Sequence, residues 1–149
     1  MQPELKPYKP EHFFMVDGRE LKPTDEHRAV AQFYYDHSFF GSEGRSAFTA
    51  FDGDKALGCA GVVILPSGKG EVWMHLSSDL ARQHLWLTKT AFMELIDVIR
   101  ASGVKPVECF IPVTKKINRN WIARLGFQDI GPRAVRGEWC RHYEMRGVS

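Results

Sequence analysis

From residue 46 the pattern of apolar and polar positions changes to one typical of β-strands, with mainly apolar segments at 47–51 and 55–65 and alternation with a period of two at 71–76. Asp52-Gly53 separates the first two segments, and the turn sequence at 66–70 separates the second from the third. Glycine residues within the middle segment indicate a bend or a bulge there. The pattern therefore predicts a meander of three antiparallel strands, over residues 47–51, 55–65 and 71–76.

Three other segments repeat apolar residues at intervals of three and four, which is typical of amphipathic helices. Each begins beside a residue that can cap a helix N-terminus, namely Thr24, Ser78 with Asp79, and Thr114. Gly103 and Gly126 follow the last two segments, as glycine commonly follows a helix end. The predicted helices cover residues 24–37, 79–102 and 115–125.

The remaining apolar segments complete the predicted order of elements. Residues 1–10 contain three prolines and are interpreted as irregular, although Pro10 could open a short helix. Strands are predicted at 107–113, 127–130 and 137–146, with His142 and Glu144 on one face of the last. This order of helix, three strands, long helix, strand, helix and two strands predicts an α+β fold, a sheet with helices on its faces.

Composition narrows the class of protein. A chain of 149 residues is most simply one domain, and its 44% hydrophobic and 26% charged residues are ordinary globular values. No apolar run is long enough for a membrane span, and the first residues lack the apolar core of a signal peptide. We therefore expect a cytoplasmic protein.

The cysteines and the basic residues give no separate site. Cys59, Cys109 and Cys140 each lie in an apolar strand-like run, where a free cysteine is usually buried, and no Cys/His spacing of a metal site is present. A net charge of +2 is too small to indicate nucleic acid binding. The basic residues of the third predicted helix are interpreted as a solvated face, so nucleic acid is not an expected partner. Binding of nucleic acid by the basic last third of the chain is the weaker alternative.

Several phrases resemble the GNAT N-acetyltransferase superfamily in their order and spacing. They are Glu71-Val72-Trp73, Leu76-Ser77, the long helix from Asp79, Trp121-Ile-Ala-Arg-Leu-Gly-Phe127, Gly131-Pro132 and Arg141-His-Tyr143. Within the superfamily the chain looks most like bacteriophage GNAT-like proteins that resemble internal virion protein A of T7-like phages. The resemblance is clearest over 47–149 and implies a GNAT-like acyl-CoA N-acyltransferase fold, a mixed central sheet flanked by helices, for the single domain 1–149.

The resemblance also implies a cofactor, an acceptor and site residues. The cofactor would be acetyl-CoA and the acceptor an amine on a small molecule or a protein. Glu71 and His75 are the candidates for the catalytic base. The implied cofactor-binding residues, around the junction of the third meander strand and the long helix, are Met74, Leu76, Ser77, Ser78, Arg82 and Gln83.

The chain departs from the family pattern at two places. Leu85 and Leu87 stand where the phosphate-binding loop usually has glycine or alanine, and Ile122 stands where many members have a tyrosine that acts as the acid. Two functions therefore remain open. One is acetyl-CoA-dependent transfer to an amine; the other is a phage structural or assembly protein that keeps the fold without the chemistry and binds other virion proteins.

Overall fold

The computed structural model describes residues 4–16, 25–40, 44–45, 47–77 and 106–145, together with Thr90, Met93 and Asp97, which are helical. Its described elements are, in chain order, β1 (Glu4–Pro7), α1 (Pro10–Met15), α2 (Asp25–His37), β2 (Phe39–Phe40), β3 (Gly44–Arg45), β4 (Ala47–Asp52), β5 (Lys55–Ile64), β6 (Gly70–Leu76), β7 (Val107–Pro112), α3 (Lys116–Arg124), β8 (Gln128–Val135) and β9 (Glu138–Met145).

Seven of the strands form one mixed sheet in the order β1-β4-β5-β6-β7-β9-β8. All neighbouring pairs are antiparallel except β6 and β7, which run parallel. Strands β2 and β3, which the sequence did not predict, form a separate two-stranded sheet. The predicted α+β fold, a mixed sheet with helices, is confirmed. None of the described helices is long and apolar enough to cross a membrane.

The interpretation of residues 1–10 as irregular is wrong for Glu4–Pro7. These residues form the edge strand β1, which pairs antiparallel with β4. A four-residue segment is too short to show a period, and its closing proline discouraged a strand interpretation. Proline is tolerated on an edge strand, where one side of the backbone needs no ladder partner. The short helix at Pro10 is confirmed as α1, with proline in its first turn.

The meander is confirmed as β4, β5 and β6. In β5 the pairing passes from Gly58 opposite Ala50 to Ala56 opposite Phe51, so Leu57 is the additional residue of a bulge. The irregularity predicted for this strand thus lies beside Gly58. A bulge increases the local twist of the sheet next to β6.

The last third of the chain follows the prediction with two differences. The cap of α3 is Lys115, not Thr114, and it makes no side-chain capping bond. Gly126 follows the helix with φ of +91°, a conformation that favours glycine. Strand β8 extends to Val135, well beyond the predicted end, because β9 pairs with it along that length.

The N-cap and most of the long helix predicted at 79–102 lie outside the described residues.

The sheet has a buried cluster on each face. One is formed by apolar residues of β5, β6, β7 and β9 together with Ile122 of α3. The other joins Tyr8, Val16 and Trp73 to residues of β4 and β5, with Phe13 and Tyr34 against it. Trp73 therefore points to the side of the sheet that α1 and α2 cover. Since Glu71 and His75 alternate with the same period, they lie on that side too.

Trp73 fixes α2 and the residue after it against β6. Its indole stacks on the ring of Tyr34, with the centroids 4.2 Å apart and the planes inclined by 1°. Its Nε1–H donates a 2.9 Å hydrogen bond to Oγ of Ser38, directly after α2. Tyr8 packs edge-on against the same indole at 4.9 Å. These contacts hold α2 beside Glu71.

Candidate active site

The central strands β6 and β7 separate part-way along the sheet. Their ladder consists of Gly70 opposite Val107, Glu71 opposite Glu108, and Val72 opposite Cys109. Beyond Val72 and Cys109 the described residues of the two strands are not paired with each other, although β6 continues to pair with β5 and β7 with β9. Within the part of the chain that the structure describes, the facing edges of these two stretches therefore form no ladder with each other.

Three glutamates cross the sheet in one row at the start of this opening. Glu71 lies opposite Glu108, and Glu108 lies opposite Glu144 on the other neighbouring strand. Residues that are directly opposite on neighbouring strands point to the same face, about 5 Å apart. The row therefore places carboxylates from β6, β7 and β9 side by side on the face that also carries Trp73.

Glu71 is the member of the row closest to α2. Burial raises the pKa of its carboxyl group, the nearby Arg136 lowers it, and Glu108 raises it further. Burial also raises the pKa of the Tyr34 hydroxyl, and the charge of Glu71 adds to this rise. Glu71 thus lies among Tyr34, Arg136 and Glu108, in surroundings that favour its protonated form.

Glu108 is buried, with 8% of its surface exposed, and two basic side chains approach it. Its Oε1 lies 3.7 Å from Nζ of Lys69 and 3.5 Å from Nε2 of His142. The imidazole of His142 stacks on Phe110, with ring centroids 4.4 Å apart and planes inclined by 22°. The two neighbouring carboxyl groups Glu71 and Glu108 therefore differ in their surroundings, a situation that often separates acid and base roles.

His75 lies on the predicted face but far from Glu71. Its ring stacks on Phe13 of α1, with centroids 4.4 Å apart. Four residues of extended strand separate Glu71 from His75, which corresponds to about 13 Å. The two candidates for the base therefore cannot act on the same proton, and Glu71 is the one beside the point where the strands separate.

No protein-family model matches the sequence, and no curated protein matches it. Solved structures do match in fold. An acetyltransferase of the GNAT family from Staphylococcus aureus superposes with a TM-score of 0.71 at 12% identity, covering 96% of this chain and 98% of that one. A second N-acetyltransferase from Staphylococcus aureus gives 0.67 at 11% identity with 100% of both chains covered. A GNAT-family acetyltransferase from Streptococcus pneumoniae gives 0.62 at 14%, with 97% of both covered.

The chain has the GNAT fold. These structures cover 96–100% of this chain, so the likeness extends into the first 46 residues, for which the sequence offered no resemblance. At this level of identity the likeness establishes the fold and leaves the function to the residues of the site.

Three of the predicted cofactor-binding residues are described within this GNAT fold. Met74 and Leu76 are half-buried on the part of β6 that is not paired with β7. Ser77 is buried, and both its backbone N–H and its hydroxyl already donate to the carbonyl oxygen of Leu57, at 3.0 and 2.7 Å. The contacts of Ser77 favour a structural role. Ser78, Arg82 and Gln83 lie outside the described residues.

Ile122 is the departure from the family that the structure explains most clearly. Its side chain is fully buried, with 0% exposed, in the cluster that joins α3 to the sheet. It belongs to the hydrophobic core and has no group that could donate a proton.

Sequence reasoning missed Glu108 and did not connect it with His142 and Glu144. A single acid within the apolar run 107–113 was the available signal, because a charged residue inside a buried strand usually has a partner. Sequence reasoning also missed Arg136, whose charge acts on Glu71. It occupies the tip of the β8–β9 hairpin with a φ of +51°, which is uncommon for a residue with a side chain.

Proposed function

We propose that this protein is an acetyl-CoA-dependent N-acetyltransferase that transfers the acetyl group directly to an amine. The observation that carries the proposal is the separation of β6 and β7 beyond Val72, one residue after Glu71, within a GNAT fold. The opening leaves two strand edges for an extended, amide-containing chain. The pantetheine arm of coenzyme A has that chemistry.

The described residues fit the pantetheine arm of coenzyme A. The unpaired stretch of β6 at Met74 and Leu76 would hold the arm through main-chain hydrogen bonds. Acetyl-CoA, when bound, supplies an activated thioester. The carboxylates of the row formed by Glu71, Glu108 and Glu144 attract a cationic amine to the same end of the opening.

Glu71 is the proposed general base. The carboxylate of Glu71 would first take a proton from the ammonium group, which frees the electron pair of the nitrogen. The nitrogen would then form a bond to the acetyl carbon while the bond between that carbon and sulfur breaks, and the second proton lost by the nitrogen would pass to the departing thiolate of coenzyme A. The position of Glu71 beside the opening supports this role, and the raised pKa of its carboxyl group increases its affinity for the first proton.

The test is release of coenzyme A thiol from acetyl-CoA in the presence of a panel of alkyl diamines, amino acids and peptides with free N-termini. Glu71→Gln should lower the rate with the best amine by about 10²–10⁴-fold, the usual contribution of a general base. Glu138→Gln, on the exposed β8–β9 hairpin, is the matched control and should keep the full rate. Absence of transfer to every amine, or an unchanged rate in Glu71→Gln, would contradict the proposal.

The second candidate is a phage structural or assembly protein that keeps the GNAT fold without turnover. Ile122 favours it, because a buried apolar side chain occupies the position at which many family members have the tyrosine acid. Mass spectrometry of purified phage particles would detect the chain if this candidate is right. Turnover with any amine of the panel would favour the enzyme instead.

A further inference from the structure

Three side chains of types that can ligate a metal ion lie together on β7 and β9, on the face of the sheet that carries Trp73. They are Glu108, His142 and Glu144, and one potential ligand atom from each lies within 4.8 Å of the other two. The register explains the meeting. Glu108 lies directly opposite Glu144, and His142 is two residues from Glu144 on the same face of β9.

The imidazole of His142 supplies an observation independent of the acids. Its Nε2 is buried and has no hydrogen-bond partner among the residues that the structure describes. The closest carboxylate oxygen, Oε1 of Glu108, is 3.5 Å away, longer than the usual hydrogen bond. Only 12% of the His142 side chain is exposed. A buried nitrogen in this state needs an explanation, and an absent ion is one of the few available.

Packing directs that nitrogen toward the carboxylates. Phe110 stacks on the His142 ring and restricts its plane, while the backbone pairing of β7 and β9 fixes the separation of the three Cα atoms. Lys69 is the basic residue paired with Glu108, but its side chain is 46% exposed, so solvent screens much of its charge. Glu108, in contrast, is buried, with only 10% of its side chain exposed.

We propose that Glu108, His142 and Glu144 bind a divalent transition-metal ion, with Zn²⁺ as the ion that their chemistry fits best. One imidazole nitrogen and two carboxylates form a donor set that Zn²⁺ accepts, with bonds of about 2.0–2.2 Å. Side-chain rotations would bring the ligand atoms closer together without moving the strands. Glu71 is not a ligand of this site, so the existence of the site does not depend on the proposed transfer. With the ion bound to Glu108 and Glu144, Glu71 would be the carboxylate of the row that attracts the amine.

The test is a calorimetric titration of the chelator-treated full chain with Zn²⁺ in the absence of acetyl-CoA, followed by Co²⁺ spectroscopy. One equivalent should bind, and His142→Ala and Glu144→Gln should each weaken binding by at least about tenfold, since even outer-shell changes cost 10–100-fold. His37→Ala, at an exposed position of α2, is the matched control and should bind as the unsubstituted protein does. Imidazole ligation should change the visible spectrum of Co²⁺ in the unsubstituted protein and not in His142→Ala.

Three outcomes would overturn the proposal. The first is the absence of one-to-one binding at millimolar Zn²⁺. The second is an affinity of both His142→Ala and Glu144→Gln equal to that of the unsubstituted protein, and the third is loss of binding in His37→Ala. Circular dichroism of each variant shows whether it is folded. Glu144→Gln is a near-isosteric change on a half-buried strand position, so it remains informative if His142→Ala fails to fold.

Discussion

Replacing Trp73 by phenylalanine should loosen the attachment of α2 to the sheet beside Glu71. Trp73 is 5% exposed and contacts Tyr34, Tyr8 and Ser38. The smaller ring removes roughly 40 Å² of buried apolar surface, about 1 kcal/mol of unfolding free energy. Loss of the hydrogen bond to Ser38 removes about 1 kcal/mol more. The expected total is about 2 kcal/mol, or a fall in the unfolding midpoint of roughly 4–8 °C for a chain of this size.

A double-mutant cycle isolates the hydrogen bond. Urea unfolding followed by circular dichroism would be measured for Trp73→Phe, Ser38→Ala and the double variant. Because the bond is absent in either single variant, the double variant should be about 1 kcal/mol more stable than the sum of the single effects predicts. Trp139→Phe is the matched control, since Trp139 is 62% exposed, and it should change stability by less than about 0.5 kcal/mol. If the effects of Trp73→Phe and Ser38→Ala on the free energy of unfolding are strictly additive, the hydrogen bond between the two side chains is refuted.

Three further predictions concern stability and reactivity. Burial lowers the pKa of His12 below 6.5, so the stability that neutral His12 contributes should be complete above about pH 6.5 and decline as the pH falls below it. His12→Asn should make the midpoint less dependent on pH in that window, and equal pH dependence in both proteins would contradict this. Burial raises the pKa of the Cys59 and Cys109 thiols, so both should resist disulfide reagents until the chain unfolds; rapid labelling of the native protein would count against it. Gly126→Ala should cost about 1 kcal/mol in a urea melt because φ is +91°, and an unchanged melt would show that the helix end has another conformation.

The sequence predicted the parts of the fold that depend on local patterns. The apolar segments between the turns at 52–53 and 66–70 were sufficient for the meander, and alternation over 71–76 identified the two faces of β6. Gly126 marked the end of α3 because few other residues adopt its backbone conformation. Alternation over 137–146 placed His142 and Glu144 on one face of β9.

The missed parts depend on contacts between distant segments. The partner of β1 is β4, some 40 residues away, and no period within Glu4–Pro7 indicates that pairing. The meeting of Glu108 with Glu71 and Glu144 depends on the register of three strands, which local patterns do not encode. The separation of β6 from β7 is likewise a property of the assembled sheet.

The most direct test of the account is thermal unfolding of the purified protein with and without acetyl-CoA, with coenzyme A and ATP as controls. At about one hundred times its dissociation constant, a ligand that binds the folded chain adds about 2.7 kcal/mol, or roughly 5–10 °C in the midpoint. We expect this rise with acetyl-CoA and coenzyme A and a smaller one with ATP, because ATP lacks the pantetheine arm that the opening between β6 and β7 would hold. No shift with acetyl-CoA at millimolar concentration would contradict the proposed cofactor site.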